Sequence, residues 1–213
     1  MNNKKYSLGL SSFSLLRPET EIAARVLREC RSIEEARERI KQENLFQRVR
    51  RSTNKVVVNE VLKRLSHADE WERNLLSEAE SPDDSGFICM LLVSRQYTIL
   101  LDFVVELVLY KFEGRDTRLE SYEMESWFAV KAETHDEISA LKPGSFKRLL
   151  VNTRRVLIEG GILLESGEGI YTIRQPLVGL HIQSHYEALA RPEDLYMLLY
   201  PEYKIQKIRE NLE

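Results

Sequence analysis

Residues 143–173 read PGSFKRLLVNTRRVLIEGGILLESGEGIYTI, and this stretch decides the fold class. Pro143-Gly144 supplies a turn and Ser145 an N-cap. Phe146, Leu149, Leu150, Thr153 and Leu157 then recur at helical spacing, which leaves Lys147, Arg148, Asn152, Arg154 and Arg155 largely on the outer face. Gly160-Gly161 ends the helix. Beyond it, Ile162-Leu163-Leu164-Glu165 and Ile170-Tyr171-Thr172-Ile173 flank Ser166-Gly167-Glu168-Gly169, the pattern of a β-hairpin. Residues 119–132, upstream, read as a helix with Tyr122, Trp127 and Phe128 as packing residues. Helix, turn, basic helix, hairpin is the order of a winged helix.

The opposite end of the chain reads as three helices. Arg17-Pro18-Glu19 opens the first, with proline in the opening turn and a carboxylate near the positive end of the dipole. Ser32-x-x-Glu35 has the form of a capping box and starts the second, which carries Ala36 and Ile40 inward. The third starts near Ser52 or Thr53 and places Val58, Val61, Leu62, Leu65 and Ala68 on one face, with Lys55, Asn59 and Lys63 in an i, i+4, i+8 row on another. Three helices with a basic outer row have the outline of a helix-turn-helix unit.

Between these ends, Ser81-Pro82-Asp83-Asp84-Ser85-Gly86 reads as a loop, and Glu113-Gly114-Arg115-Asp116 as a second break. The apolar stretch 87–112 is interrupted by Arg95, Asp102, Glu106 and Lys111, and its longest uncharged run is the eight residues 87–94, far short of a membrane span. Arg95, Asp102 and Glu106 fall on one stripe of a helix, so the stretch reads as a long, largely buried central helix. After residue 177 the pattern is helical again, and Arg191-Pro192-Glu193-Asp194 opens a last helix that packs through Leu195, Leu198 and Leu199. The expected architecture is mostly α. A helix-turn-helix-like domain with a basic surface occupies 1–114, including the central helix, and a winged-helix-like domain with one short hairpin and a helical tail occupies 115–213.

The net charge of −3 over 213 residues conceals a separation. Residues 1–64 carry 15 Lys+Arg against 8 Asp+Glu, residues 65–142 carry 7 against 17, and residues 143–213 carry 9 against 9. Within 41–64 alone, seven basic side chains face two acidic ones, which concentrates positive potential on one surface and makes a polyanion the natural partner. The two cysteines, Cys30 and Cys89, have no neighbouring Cys, and both fall among apolar positions. They read as small core residues in a reducing compartment rather than as a disulfide, a zinc knuckle or nucleophiles. Residues 1–16 have no long apolar core, so no secretory signal is expected, and the expected location is the cytoplasm.

Several short segments resemble, in order and spacing, the BrxA proteins of BREX phage-defence systems. They are Tyr6-Ser7; Glu43-Asn44-Leu45-Phe46 followed by Arg51-Ser52-Thr53 and Arg64-Leu65; Leu101-Asp102-Phe103-Val104; and Arg155-Val156-Leu157-Ile158-Glu159-Gly160-Gly161-Ile162-Leu163. Together they cover most of the chain, and none is a catalytic signature. The resemblance implies a small helical accessory protein that binds DNA and serves a larger machine that methylates host DNA and blocks phage replication, with no enzyme activity of its own. The family has also been described as an inner-membrane protein, which the interrupted central segment argues against.

Two basic clusters are candidate contacts with double-stranded DNA. The first comprises Arg48, Arg50, Arg51, Ser52, Thr53, Asn54, Lys55, Asn59, Lys63 and Arg64: Lys and Arg displace condensed counterions, and Ser, Thr and Asn add neutral hydrogen bonds to phosphate. The competing explanation is a solvated helix face; the local excess of charge and the Ser-Thr-Asn run at a helix start favour binding. The second comprises Lys147, Arg148, Asn152, Arg154 and Arg155, with Arg suited to guanine and Asn to adenine. Its supposed wing carries Glu165 and Glu168, which oppose a nearby phosphate backbone, so the unit equally suits protein contact. His181 and His185, four apart, lack a third ligand at convincing spacing, so no metal is expected. No Gly-rich phosphate loop, Gly-x-Ser-x-Gly elbow or paired His/Asp/Cys set is present, so neither a cofactor nor an enzyme activity is expected. The alternative to a DNA-binding defence accessory is a winged-helix adaptor, transcription regulator or RNA-binding scaffold.

Overall fold

The computed structural model describes residues 5–212, so the first four residues of the leading segment lie outside it. Its elements are a short 3-10 turn Gly9–Ser11, α1 (Arg17–Glu29), α2 (Ile33–Gln42), α3 (Arg51–Leu65), α4 (Glu70–Glu78), α5 (Pro82–Gln96), α6 (Thr98–Phe103), a π-helical stretch Val104–Leu109 and α7 (Tyr110–Glu113). Then come β1 (Arg118–Glu120), α8 (Ser121–Ala132), α9 (Asp136–Ser139), α10 (Pro143–Glu159), β2 (Leu163–Gly167), β3 (Ile170–Ile173), α11 (Leu180–Leu189), α12 (Pro192–Met197) and α13 (Glu202–Glu210). The protein is mostly helical with one small antiparallel sheet, as its sequence pattern demands.

The centre of the core is α5. Every residue from Asp84 to Ser94 is buried, because a helix that is apolar all round must be covered on every side. α1, α3, α4, α6 and α10 pack around it. Ser81-Pro82-Asp83-Asp84 is the start of this helix rather than a loop: the Ser81 hydroxyl accepts the Asp84 N–H at 3.2 Å, Pro82 occupies the first turn, and both aspartates sit at the positive end of the dipole. Gly86, in the next turn, lets α10 come close. A Cβ there would stand 2.6 Å from the Glu159 carbonyl oxygen.

The central helix expected over 87–112 is two helices that meet at 110°. They part at Tyr97, whose backbone leaves the helical region and whose hydroxyl donates to Glu60 Oε1 at 2.6 Å in the interior. The break separates Arg95 from Asp102 and Glu106, so the three do not share a stripe. Arg95 reaches Glu72 and Asp194, Asp102 accepts the Tyr6 hydroxyl, and Glu106 accepts from Trp127 and Lys131. Among the described residues no single helix is long and apolar enough to cross a membrane.

In the second half the hairpin gains a third strand. β1, expected to be the first turn of a helix, pairs antiparallel with β3, giving the order β1-β3-β2, with Leu119 opposite Tyr171 and Leu164 opposite Thr172. Three residues are too few for an alternation signal, and Leu119 suits a strand as well as a helix. α10 begins at Pro143, two residues before the expected Ser145 cap, because proline takes the first helical position without loss of a hydrogen bond. It ends as expected at the glycine pair. Gly161 adopts φ +86°, and the N–H groups of Gly161 and Ile162 return to the carbonyls of Ile158 and Leu157, a Schellman closure that aims the chain into β2. The tail also differs. Leu195, Leu198 and Leu199 are buried as expected, but the helix begun at Pro192 stops at Met197, and α13 follows after Pro201.

Candidate nucleic-acid interface

α3 sorts its side chains sharply. Val57, Val58, Val61, Leu62 and Leu65 are buried against the core, while Arg51, Ser52, Thr53, Lys55, Asn59 and Lys63 are exposed, as is Arg50 just before the helix. Lys55, Asn59 and Lys63 form the expected row. Among the described residues, Arg50, Arg51, Lys55 and Lys63 make no ion pair, and their side chains face solvent. The helix start adds to it. Arg50 occupies the N-cap with an extended backbone and offers no acceptor, and the first turn holds no carboxylate. The amides of Arg51, Ser52 and Thr53 therefore point outward without a side-chain acceptor, at the positive end of the dipole.

The turn before α3 brings further groups to the same place. The Asn44 carboxamide accepts from the Arg48 N–H and donates to the Arg48 carbonyl, each at 3.2 Å, while Asn44 and Gln47 adopt left-handed backbone conformations. This tight turn bounds an open cleft of about 640 Å³ lined by Lys41, Gln42, Asn44, Arg48, Val49, Arg51, Asn54 and Lys55. Val49 is fully exposed at its edge. Nearby, Glu38 is held below the usual carboxylate range by the hydrogen bond and charge of Lys41 and, more weakly, by Arg37 and Lys55.

Three residues of the first cluster stand differently from the expected outer face. Arg64 is 1% exposed: it pairs with Glu60 at 2.7 Å and donates to the carbonyls of Ser14 and Leu15, each at 2.8 Å. It holds the leading segment onto α3, because a buried guanidinium needs acceptors on several sides. Asn54 is also buried, at the floor of the cleft. Arg48 lies half-buried and paired with Glu19.

The second cluster is more engaged. Lys147, Arg148 and Arg155 are exposed on α10. Asn152, expected as a base reader, donates to the Leu10 carbonyl at 2.8 Å, so the 3-10 turn covers its face of the helix. Arg154 donates to the Tyr171 hydroxyl at 2.9 Å and to Ser121 at 3.2 Å, with its guanidinium carbon 5.7 Å from the Tyr171 ring centroid, tying α10 to the sheet. Sequence spacing places these side chains outside the helix, but it does not register which neighbour arrives there.

Elsewhere, His185 stacks on Trp71 with ring centroids 3.8 Å apart and its Nε2 3.6 Å from Asp69, while His181 stands 3.5 Å from Asp84. No group of three or more metal-capable side chains is assembled among the described residues. Burial pushes the Cys89 thiol up to about 12, which removes it as a nucleophile.

The family model of BrxA matches residues 4–188. A BREX protein BrxA from Bacillus cereus (strain H3081.97) is 26% identical over 165 residues, which is 76% of this chain and 80% of that protein. A crystal structure of an uncharacterized protein from Magnetospirillum magneticum shares the fold, with a TM-score of 0.76 at 18% identity over 92% of this chain and all of that one. With its family match running through nearly all of the helical core and the whole three-stranded unit, this chain belongs to the BrxA family.

Proposed function

We propose that this protein is a non-enzymatic, double-stranded-DNA-binding accessory subunit of a BREX phage-defence system, acting in the cytoplasm beside other subunits of that system. Family membership and the similarity to a BREX protein support the defence role. The observation that carries DNA binding is the face of α3: four exposed cations without ion pairs, of which Arg50, Arg51 and Lys55 stand at a helix start whose amides have no side-chain cap and Lys63 follows on the same row in the last turn. Such a face contacts phosphates and reads few bases, so binding has weak sequence preference. Four phosphate contacts give a log K against log salt slope of about −3.6. Titration of labelled duplex DNA, single-stranded DNA and RNA across a salt series tests this. Duplex binding with that slope is the expected result, and a flat salt response or no binding at low salt refutes it.

A second role is favoured for the winged unit. Asn152 and Arg154 are spent on internal contacts, the hairpin presents Leu164, Glu165 and Glu168, and Tyr122 is exposed on α8. A surface of apolar and acidic groups suits a protein neighbour better than a phosphate backbone.

A further inference from the structure

We infer that the cavity between α4, the start of α5 and the start of α11 receives the guanidinium of an arginine carried by a protein partner. The inference does not rest on the DNA-binding reading, which concerns α3. The cavity has a volume of about 450 Å³, ample for one long side chain. Among the described residues Glu78, Glu80 and Asp84 line it, and no Lys or Arg does. Its central observation is Asp84. The residue is 6% exposed, and its Oδ1 accepts the Gly179 N–H at 2.8 Å. Its Oδ2 takes no hydrogen bond from any described residue, and His181 Nε2 stands 3.5 Å away on an exposed ring that also lines the cavity. A carboxylate oxygen left free at a cavity wall calls for a donor, and a charged donor meets it most strongly where water is scarce. Gly179 leaves the approach open, since a Cβ there would stand 3.3 Å from Oδ2.

The surroundings fix the class of ligand. Glu80 is exposed and makes no ion pair among the described residues, while Glu78 reaches Arg28 only at 3.5 Å. The positive end of the α5 dipole opposes a cation, but Asp83, Asp84 and the Ser81 cap already answer it. Trp71 supplies an aromatic wall: His185 covers one face of the indole with centroids 3.8 Å apart, and the residue also lines the cavity. A metal ion does not fit, because no group of three or more metal-capable side chains is assembled among the described residues. A guanidinium does, since its flat face stacks on an indole while its edge donates to carboxylate oxygens. A protein source follows from the rim. Leu177 and Leu180, on either side of the Gly179 that holds Asp84, are 66% and 79% exposed, an apolar footing that suits the neighbours of an arginine in a chain rather than a free polyamine.

The test titrates the full-length protein with a capped synthetic pentapeptide that carries one arginine between two leucines, and follows the Gly179 amide and Trp71 indole resonances. Saturable shifts of both are expected. The same peptide with citrulline in place of arginine keeps the shape without the charge and is expected to bind about tenfold more weakly. Asp84→Asn, whose carboxamide oxygen still accepts from Gly179, is expected to weaken the arginine peptide by a similar factor of about ten. Glu80→Gln, at an exposed position, is expected to cost about threefold, and with the citrulline comparison it decides the matter should Asp84→Asn fold poorly. Spermine serves as the free cation and is expected to shift the two resonances only at higher concentration than the peptide. No shift with the arginine peptide, equal binding of the arginine and citrulline peptides, or folded variants that bind as the wild type does overturns the site. Spermine binding as tightly as the peptide overturns the protein partner.

Discussion

Arg64 was grouped by sequence with the DNA-contacting cations, and its removal makes the sharpest test of the structural role it has instead. The guanidinium is 1% exposed, pairs with Glu60 at 2.7 Å, donates to two backbone carbonyls at 2.8 Å, and lies 5.9 Å from the Tyr97 ring centroid. Among the described residues, Arg64→Ala leaves the Glu60 carboxylate, 8% exposed, with only the Tyr97 hydroxyl as a donor, and strips two carbonyls of the guanidinium. Breaking a buried pair by removing one partner costs about 3–5 kcal/mol, a large share of the roughly 5–15 kcal/mol that holds a domain together. At roughly 2–4 °C per kcal/mol for a chain of this size, Tm falls by about 6–20 °C. Combining Arg64→Met with Glu60→Gln removes both charges and recovers a substantial part of the loss, because the stranded carboxylate is gone. The exposed neighbour Lys63→Ala shifts stability by only about half a kcal/mol. Equilibrium urea unfolding measures all three. A loss under about 1 kcal/mol for Arg64→Ala, or a double variant no better than the single, refutes the assignment of Arg64 to the interior.

Two further outcomes follow from buried groups. Burial alone pushes Glu72 up, but bidentate hydrogen bonds from Arg95 at 2.8 and 2.9 Å, its charge and the Tyr186 hydroxyl outweigh this and hold the carboxyl below its usual range. Its contribution is therefore present above the unfolded carboxylate value and fades as pH falls through the lower folded one. Arg95→Met strands Glu72 and Asp194, whose protonation then relieves the variant, so urea unfolding shows a deficit of about 3–5 kcal/mol at neutral pH that shrinks toward acid; a deficit independent of pH contradicts this. For the thiols, an aromatic disulfide reagent titrates the partly exposed Cys30 in the native protein, while Cys89 reacts only as the protein unfolds. Rapid reaction of both overturns the placement of Cys89.

Much of the helical layout was legible because it is local. Pro18, the Ser32–Glu35 cap and Gly160-Gly161 mark helix ends by short-range hydrogen bonding, and the apolar face of α3 follows from spacing alone. What the sequence hid depends on distant partners. Ser81-Pro82-Asp83-Asp84 carries turn chemistry and helix-start chemistry in the same residues, and only its cover by α10 and residue 179 settles which one holds. The break at Tyr97 follows from a bond to Glu60, 37 positions away, within a stretch whose apolar residues run on both sides of it. The candidate site divides the same way. Lys55, Asn59 and Lys63 were readable as an exposed row, whereas Arg64, one position on, is drawn inside by carbonyls 49 and 50 residues earlier. Asn152 and Arg154 look free on a helical wheel until the leading segment and the sheet reach them.

The measurement that bears most directly on the account compares the two basic helices in duplex binding across a salt series. Replacing Arg50, Arg51 and Lys55 together by Ala removes three exposed charges from the start of α3. It is expected to weaken binding to all duplex sequences alike and to reduce the steepness of the salt slope by about 0.9 per residue. Replacing Arg154 and Arg155 by Ala is expected to do less, since Arg154 is committed to Tyr171 and Ser121 and the wing beside them is acidic. The contradicting result is the reverse order: binding abolished by the α10 pair and untouched by the α3 triple, which would make the winged unit the DNA reader.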